Sequence, residues 1–198
     1  MTGEREHGAP PDPRALRALA HPLRWKLIDL LGSETTATAT RCAEVLGESV
    51  ASCSYHLGIL AKYGYIELVG GQQGREKPWR LASLRQDLSP PGLDLEGTLA
   101  AEAATEVFLD HELARLKDRE RHRGLEPEPW RQASRMLGVS TWMTVAELQE
   151  ATDQLMHILN RHAQRGEDPA ARPEGAREVR LFAATSVRPP VTPRGRES

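Results

Sequence analysis

Ser49, Ser52, Ser54, Tyr55 and His56 crowd one uncharged stretch, SVASCSYH. Their hydroxyls and ring nitrogens can donate or accept hydrogen bonds at base edges, and Val50 and Ala51 can lie against thymine methyl groups. A second group follows in GREKPWR, where Arg75, Lys77 and Arg80 supply cations suited to phosphates or a minor groove. Together they make a candidate nucleic-acid reader: hydroxyls for sequence, cations for affinity.

The other chemically capable residues favour plainer roles. Cys42 and Cys53 are the only cysteines, and they occupy positions where the helical pattern wants buried apolar groups. Core filling is therefore preferred to redox sensing or metal ligation. Asp110, His111 and His122 lie on the expected long helix, and the two histidines, eleven positions apart, can share a helical face; a zinc role for them is raised only by the family resemblance given below. Asp110 and His111, however, are adjacent and point about 100° apart. The sequence reading is no metal and no cofactor, with zinc between His111 and His122 of a dimer left open. Glu106 and Asp110, at i and i+4, read as a solvated helix face. Gly70, Gly71 and Gly74 precede a strand, so they lack the strand-loop-helix context of a phosphate loop. With no nucleophile elbow or nucleotide fingerprint either, the chain is not expected to be an enzyme.

The elements must position the first two groups. Asp12-Pro13 caps a short helix ending before His21-Pro22, and Pro22 opens a helix carrying Leu23, Leu27, Leu30 and Leu31 at helical spacing. TTATAT (35–40) suggests a small strand. Residues 41–46 form a short helix stopped by Gly47, and Ser49 caps the next one, running to about Lys62. These two helices, joined by Gly47-Glu48-Ser49, make a helix-turn-helix. In the second of them Cys53, Leu57 and Leu60 face the body, while Val50, Ala51, Ser52, Ser54 and Tyr55 face outward. His56 lies on the border, either buried and hydrogen-bonded or touching DNA. Residues 66–82 follow as a hairpin, with Trp25 in the core, Trp79 anchoring the second strand, and Arg24 and Lys62 as surface charges.

A Ser-Pro-Pro-Gly break at 89–92 separates a second half. A long helix is expected over 94–122, with Leu95, Leu99, Ala103, Val107, Leu113 and Leu116 as a stripe suited to pairing with a twin. EPEPW (126–130) breaks it, and residues 131–141 read as a strand flanked by Trp130 and Trp142. Thr144 and Glu147 form a capping-box signature for a helix to about Arg165, and residues 178–187 read as a second strand. The fold class is mainly α with a small β component (α+β). Residues 1–11 are a disordered tail, 12–88 the winged helix-turn-helix domain, 94–187 a dimerisation and effector region, and 188–198 a loose tail.

Composition agrees. With 198 residues, 39% apolar and 27% charged, the chain fits a soluble protein, and no apolar run is long enough to span a bilayer. No secretory signal is visible in MTGEREHGAPPDP, and two cysteines make a disulfide scaffold improbable, so a cytoplasmic location is expected. The net charge of −2 divides unevenly: residues 10–86 hold ten basic and seven acidic side chains, +3, leaving −5 elsewhere.

LRALAHPLRWKLIDLL, CAEVLGESVASCSYHLGILAKYGYIELV and GREKPWRL together resemble the winged helix-turn-helix domain of the ArsR-like transcription regulators, over about residues 12–83. The resemblance implies a homodimer on a palindromic operator in double-stranded DNA. Ser49 to His56 would lie in the major groove and the 70–77 wing over the adjacent backbone. It further implies a repressor released by a small-molecule effector. The chain departs from metal-sensing members, which carry a Cys-x-Cys pair where TATATRCAEV stands here. A winged-helix protein-interaction module without DNA binding is the alternative.

Overall fold

The computed structural model describes residues 12–70, 77–83, 88, 90 and 92–188. The chain divides into two units, Met1–Leu137 and Gly138–Ser198.

Caps set the helices of the first unit. Asp12 accepts the Arg14 N–H at 2.9 Å and Pro13 opens α1 (Pro13–Leu19). The His21 ring accepts the Leu23 N–H at 3.2 Å, opening α2 (Pro22–Glu34). Thr38 caps α3 (Ala39–Leu46), which ends at Gly47 with φ +68°, a value glycine adopts without Cβ strain. Ser49 Oγ accepts the Ser52 N–H at 3.0 Å to start α4 (Val50–Lys62). β1 (Ile66–Leu68) and β2 (Trp79–Leu81) pair antiparallel, with Ile66 opposite Leu81 and Leu68 opposite Trp79. The strand expected at 35–40 shrinks to a single bridge between Ala37 and Trp79, because Thr38 is used as the α3 cap.

Between α2 and that bridge the chain turns sharply. Thr35 has φ +66°, and the Thr36 N–H reaches the Glu34 carbonyl at 2.7 Å. This is a γ-turn of the strained sign, on a β-branched residue that resists it. Thr35→Gly is expected to raise unfolding free energy by about 1 kcal/mol, read as a higher urea midpoint at unchanged slope. A lower midpoint would contradict the strain.

The core lies between α2, α3, α4 and the hairpin, around Trp25, Leu27, Leu31, Leu57 and Leu60. The Trp25 indole N–H donates to the Leu19 carbonyl at 2.8 Å, and the Tyr65 hydroxyl donates to the Ala15 carbonyl at 2.8 Å. Burial pushes the Tyr65 phenol up to about 12.

α5 (Leu95–His122) starts at the expected place, with Asp94 accepting the Gly97 N–H at 2.7 Å. Its buried face differs from the expected stripe. Gly97, Ala100, Ala101 and Ala104 face inward, and Leu16 of α1 packs on Ala100 and Ala101. Further along, Phe108 packs on Trp25 at 4.7 Å between ring centroids. His111 and Arg115 both reach Asp29 of α2, at 2.6 and 2.5 Å. Small side chains let the helix axes approach, so the alanine face docks and Leu95, Leu99 and Leu113 stay exposed. Of the expected stripe, Val107 packs against the core and Leu116 is half-buried. The long helix does break before 126–130: α5 ends at His122, and a 3₁₀ turn (Arg123–Leu125) follows. Pro127 and Pro129 then precede and open α6 (Glu128–Ala133), and residues 134–141, part of the expected 131–141 strand, form no strand.

In the second unit the capping box is present. Thr144 and Glu147 exchange bonds of 2.7 and 3.3 Å at the head of α7 (Val145–Asn160). That helix stops short of Arg165; α8 (Gln164–Glu167) and a 3₁₀ turn (Pro169–Ala171) follow. No strand forms at 178–187, and among the described residues the only sheet is the β1–β2 hairpin. The α+β class rests on that hairpin; the described part of the second unit is helix and extended chain. No described helix is long and apolar enough to cross a membrane.

Candidate nucleic-acid interface

α4 is held from beneath and bare on top. Cys53, Leu57 and Leu60 are fully buried, which fixes the helix's rotation. Val50, Ala51, Ser54, Tyr55, Gly58 and Lys62 are exposed, and Tyr55 is 66% accessible. Ser52 is half-buried, its N–H bonded to the Ser49 hydroxyl, so Ser49 works chiefly as the cap. Gly58 and Lys62 extend this outward face by one and two turns. An interior helical glycine was the signal for Gly58: it lowers helix propensity, and a Cβ there would meet nothing within 4 Å.

His56, on the border by sequence, is buried at 8% exposure. Its Nδ1 accepts the Arg24 Nε–H at 3.2 Å, and its ring lies 4.3 Å from that of His21. Arg24 also donates to the Ala18 carbonyl at 2.6 Å, near the end of α1. It is therefore a half-buried tie between α1 and α4, and not the free surface charge expected. Tyr55 touches the His56 ring edge-on at 5.2 Å, so this cluster supports the outward tyrosine.

Both histidines use Nδ1 as an acceptor, which requires neutral rings protonated at Nε2. Burial, with Arg24 adding to it, holds His21 below its ordinary value; burial, His21 and Arg24 do the same for His56. The unfolded chain binds these protons more readily than the folded one. Stability is thus complete above the ordinary value of 6.5 and is lost as pH falls below it. Urea midpoints should hold from pH 8 to 7 and drop between 6.5 and 5. A His21→Asn, His56→Gln variant should show a shallower drop; an equal drop would assign the effect to other groups.

The wing contributes unequally. Arg75 lies outside the described residues. Arg80 is directed at Glu67 across the hairpin, 2.7 Å away, both exposed, so much of its charge is answered within the wing. Lys77 is exposed, with no ion pair among the described residues. It borders a groove of about 360 Å³ between α4 and the wing, where Val50, Ser54, Leu68 and Trp79 also contribute.

The cysteines sit beneath this surface at 0% exposure, and burial pushes Cys42 to about 11 and raises Cys53. Neither thiol is poised as a thiolate. His111 is engaged by Asp29, while His122 turns to Asp118 of its own helix, so one chain does not bring the two together.

Residues 19–69 match the model of a family described as a helix-turn-helix domain. No individual curated protein matches the chain. The matched span runs from the end of α1 through both helices of the motif to the first wing strand. Residues 19–69 of this chain are a helix-turn-helix domain of the winged, DNA-binding type.

Proposed function

We propose that the chain is a homodimeric, ArsR-like transcription regulator that binds a palindromic operator and represses until an effector releases it. The observation that carries this reading is the outward face of α4, where Val50, Ala51, Ser54 and Tyr55 stand free above a packed underside. In the proposal these residues, with Ser52, enter the major groove. Ser49 and His56 position them. Lys77, Arg75 and Arg80 meet the flanking backbone, Arg80 by exchanging Glu67 for phosphate. Leu95, Leu99, Leu109 and Leu113, exposed on one side of α5, meet their twins and hold two α4 helices about 34 Å apart.

Gly58 gives a separable prediction. Gly58→Ala should stabilise the free protein by about 0.5–1 kcal/mol, since the site is open and helical. If duplex backbone lies against this point, the same change weakens operator binding several-fold. Stabilisation without loss of binding would remove Gly58 from the interface.

Genome-wide footprinting of the full chain tests the reading. The expected result is a set of sites with two-fold related half-sites one helical turn apart. The Glu67–Arg80 pair favours the alternative, a protein-interaction module, and an absence of enriched sites would support it.

A further inference from the structure

α5 has two faces of different chemistry. Its alanine side is docked, and on the opposite side Leu95, Leu99, Leu109 and Leu113 stay 40–77% exposed. Glu102 and Glu106, both exposed, occupy the middle of the same stripe. Leu95, Leu99, Glu102, Glu106, Leu109 and Leu113 advance in steps of four, three, four, three and four. That alternation is the spacing of a two-helix seam. Steps and residue types also read the same from either end, with Ala104 at the midpoint.

We propose that a second copy of this chain docks antiparallel along this stripe, its two-fold axis beside Ala104, and that four glutamates at the axis set the strength of pairing. This deepens the homodimeric reading above and rests on it. Leu95 then faces the partner's Leu113, Leu99 faces the partner's Leu109, and Glu102 faces the partner's Glu106. The palindrome selects the occupant, because an isologous contact requires a patch to be its own complement. Sliding the pair by one heptad would set leucine against glutamate. Antiparallel pairing also places the two helix dipoles head to tail.

The leucines offer on the order of 350 Å² per copy, against about 800 Å² per partner in a standard interface. Such a seam is marginal, so charge at its centre decides it. No cation answers the glutamates. Their neighbours three and four positions away on α5 are Thr98, Leu99, Ala103, Thr105, Leu109 and Asp110. α1 and α2 pack on the other face, where Arg17 takes Glu96, Arg24 takes His56, and Asp29 takes His111 and Arg115. Glu34 takes Arg41, Arg123 takes Glu120, and neither Arg14 nor Lys26 forms an ion pair with either glutamate. Across the axis the carboxylates therefore meet only like charge, and pairing tightens when that charge is removed or screened. Two copies then join chiefly on the operator, where neighbouring half-sites raise their effective concentration.

Sedimentation equilibrium of the full chain at pH 7.5 tests this. Glu102→Gln with Glu106→Gln should tighten self-association roughly tenfold, the scale of two relieved like-charge pairs at a part-exposed site. Rising salt should tighten the unaltered chain, the reverse of its effect on DNA binding, and should act less on the double variant. Glu106→Lys alone reports direction. In the antiparallel register position 106 meets Glu102 of the partner subunit, so association tightens, whereas a parallel pair would set 106 against 106 and gain nothing. Adding Glu102→Lys restores like charges and should reverse the gain. Urea midpoints should barely move, since both positions are exposed. Unchanged association in these variants of a chain that still dimerises would overturn the proposal and leave the homodimeric reading standing. A chain that is monomeric in every variant, with and without operator, would overturn both.

Discussion

Tyr55→Ala is expected to reduce operator preference over random duplex by about ten- to a hundredfold, the value of one to two lost base contacts. Stability should change by no more than about 0.5 kcal/mol, because the side chain is exposed and touches only the rim of His56. Competition binding against scrambled DNA, beside a thermal melt of the same sample, separates the two effects. Unchanged preference would move sequence reading away from this face of α4. Lys77→Ala should behave differently: binding weakens on all sequences and the salt slope falls by about one.

Trp25→Ala is expected to cost about 3–5 kcal/mol, the range for emptying a large aromatic site in a packed core. The indole is 1% exposed, bonds the Leu19 carbonyl, and carries Phe108 and His111 of α5 on its faces. Its loss should loosen α5 from α2 as well as the core itself. Trp25→Phe keeps a ring but removes the indole donor, while the Leu19 carbonyl keeps the His21 N–H at 2.9 Å. The change should cost less, about 1–2 kcal/mol for one hydrogen bond and a smaller ring. Urea unfolding of both variants checks the order; equal midpoints would mean the indole N–H contributes everything.

Local chemistry made much of the fold legible. Asp12-Pro13, Pro22, Gly47, Ser49 and the Thr144-Glu147 pair each mark a helix end through atoms within four residues, and each stands where expected. The inward set of α4 follows from spacing alone. Docking of α5 did not, since periodicity weights the large leucines while close approach selected the alanines. Residues 178–187 have strand character, but a strand exists only with a ladder partner, and the described chain supplies none. At the site, the outward hydroxyls and Tyr55 were readable. The Arg24–His56 bond spans 32 residues and Glu67–Arg80 spans 13 across a hairpin register, so neither charge could be placed from sequence.

That register also shapes affinity. An arginine already paired on the wing gains less from phosphate than a free one, so binding should lean on Lys77, Lys62 and Arg75. The central claim is that α4 reads duplex DNA while wing cations hold it. Its most direct test is fluorescence anisotropy of the full chain on duplex from its own promoter region, beside a scrambled duplex, across a salt series. The account predicts a preference for the promoter at every salt concentration, with affinity falling linearly on a log–log plot at a slope of several. Equal, salt-independent signals on both duplexes would contradict it.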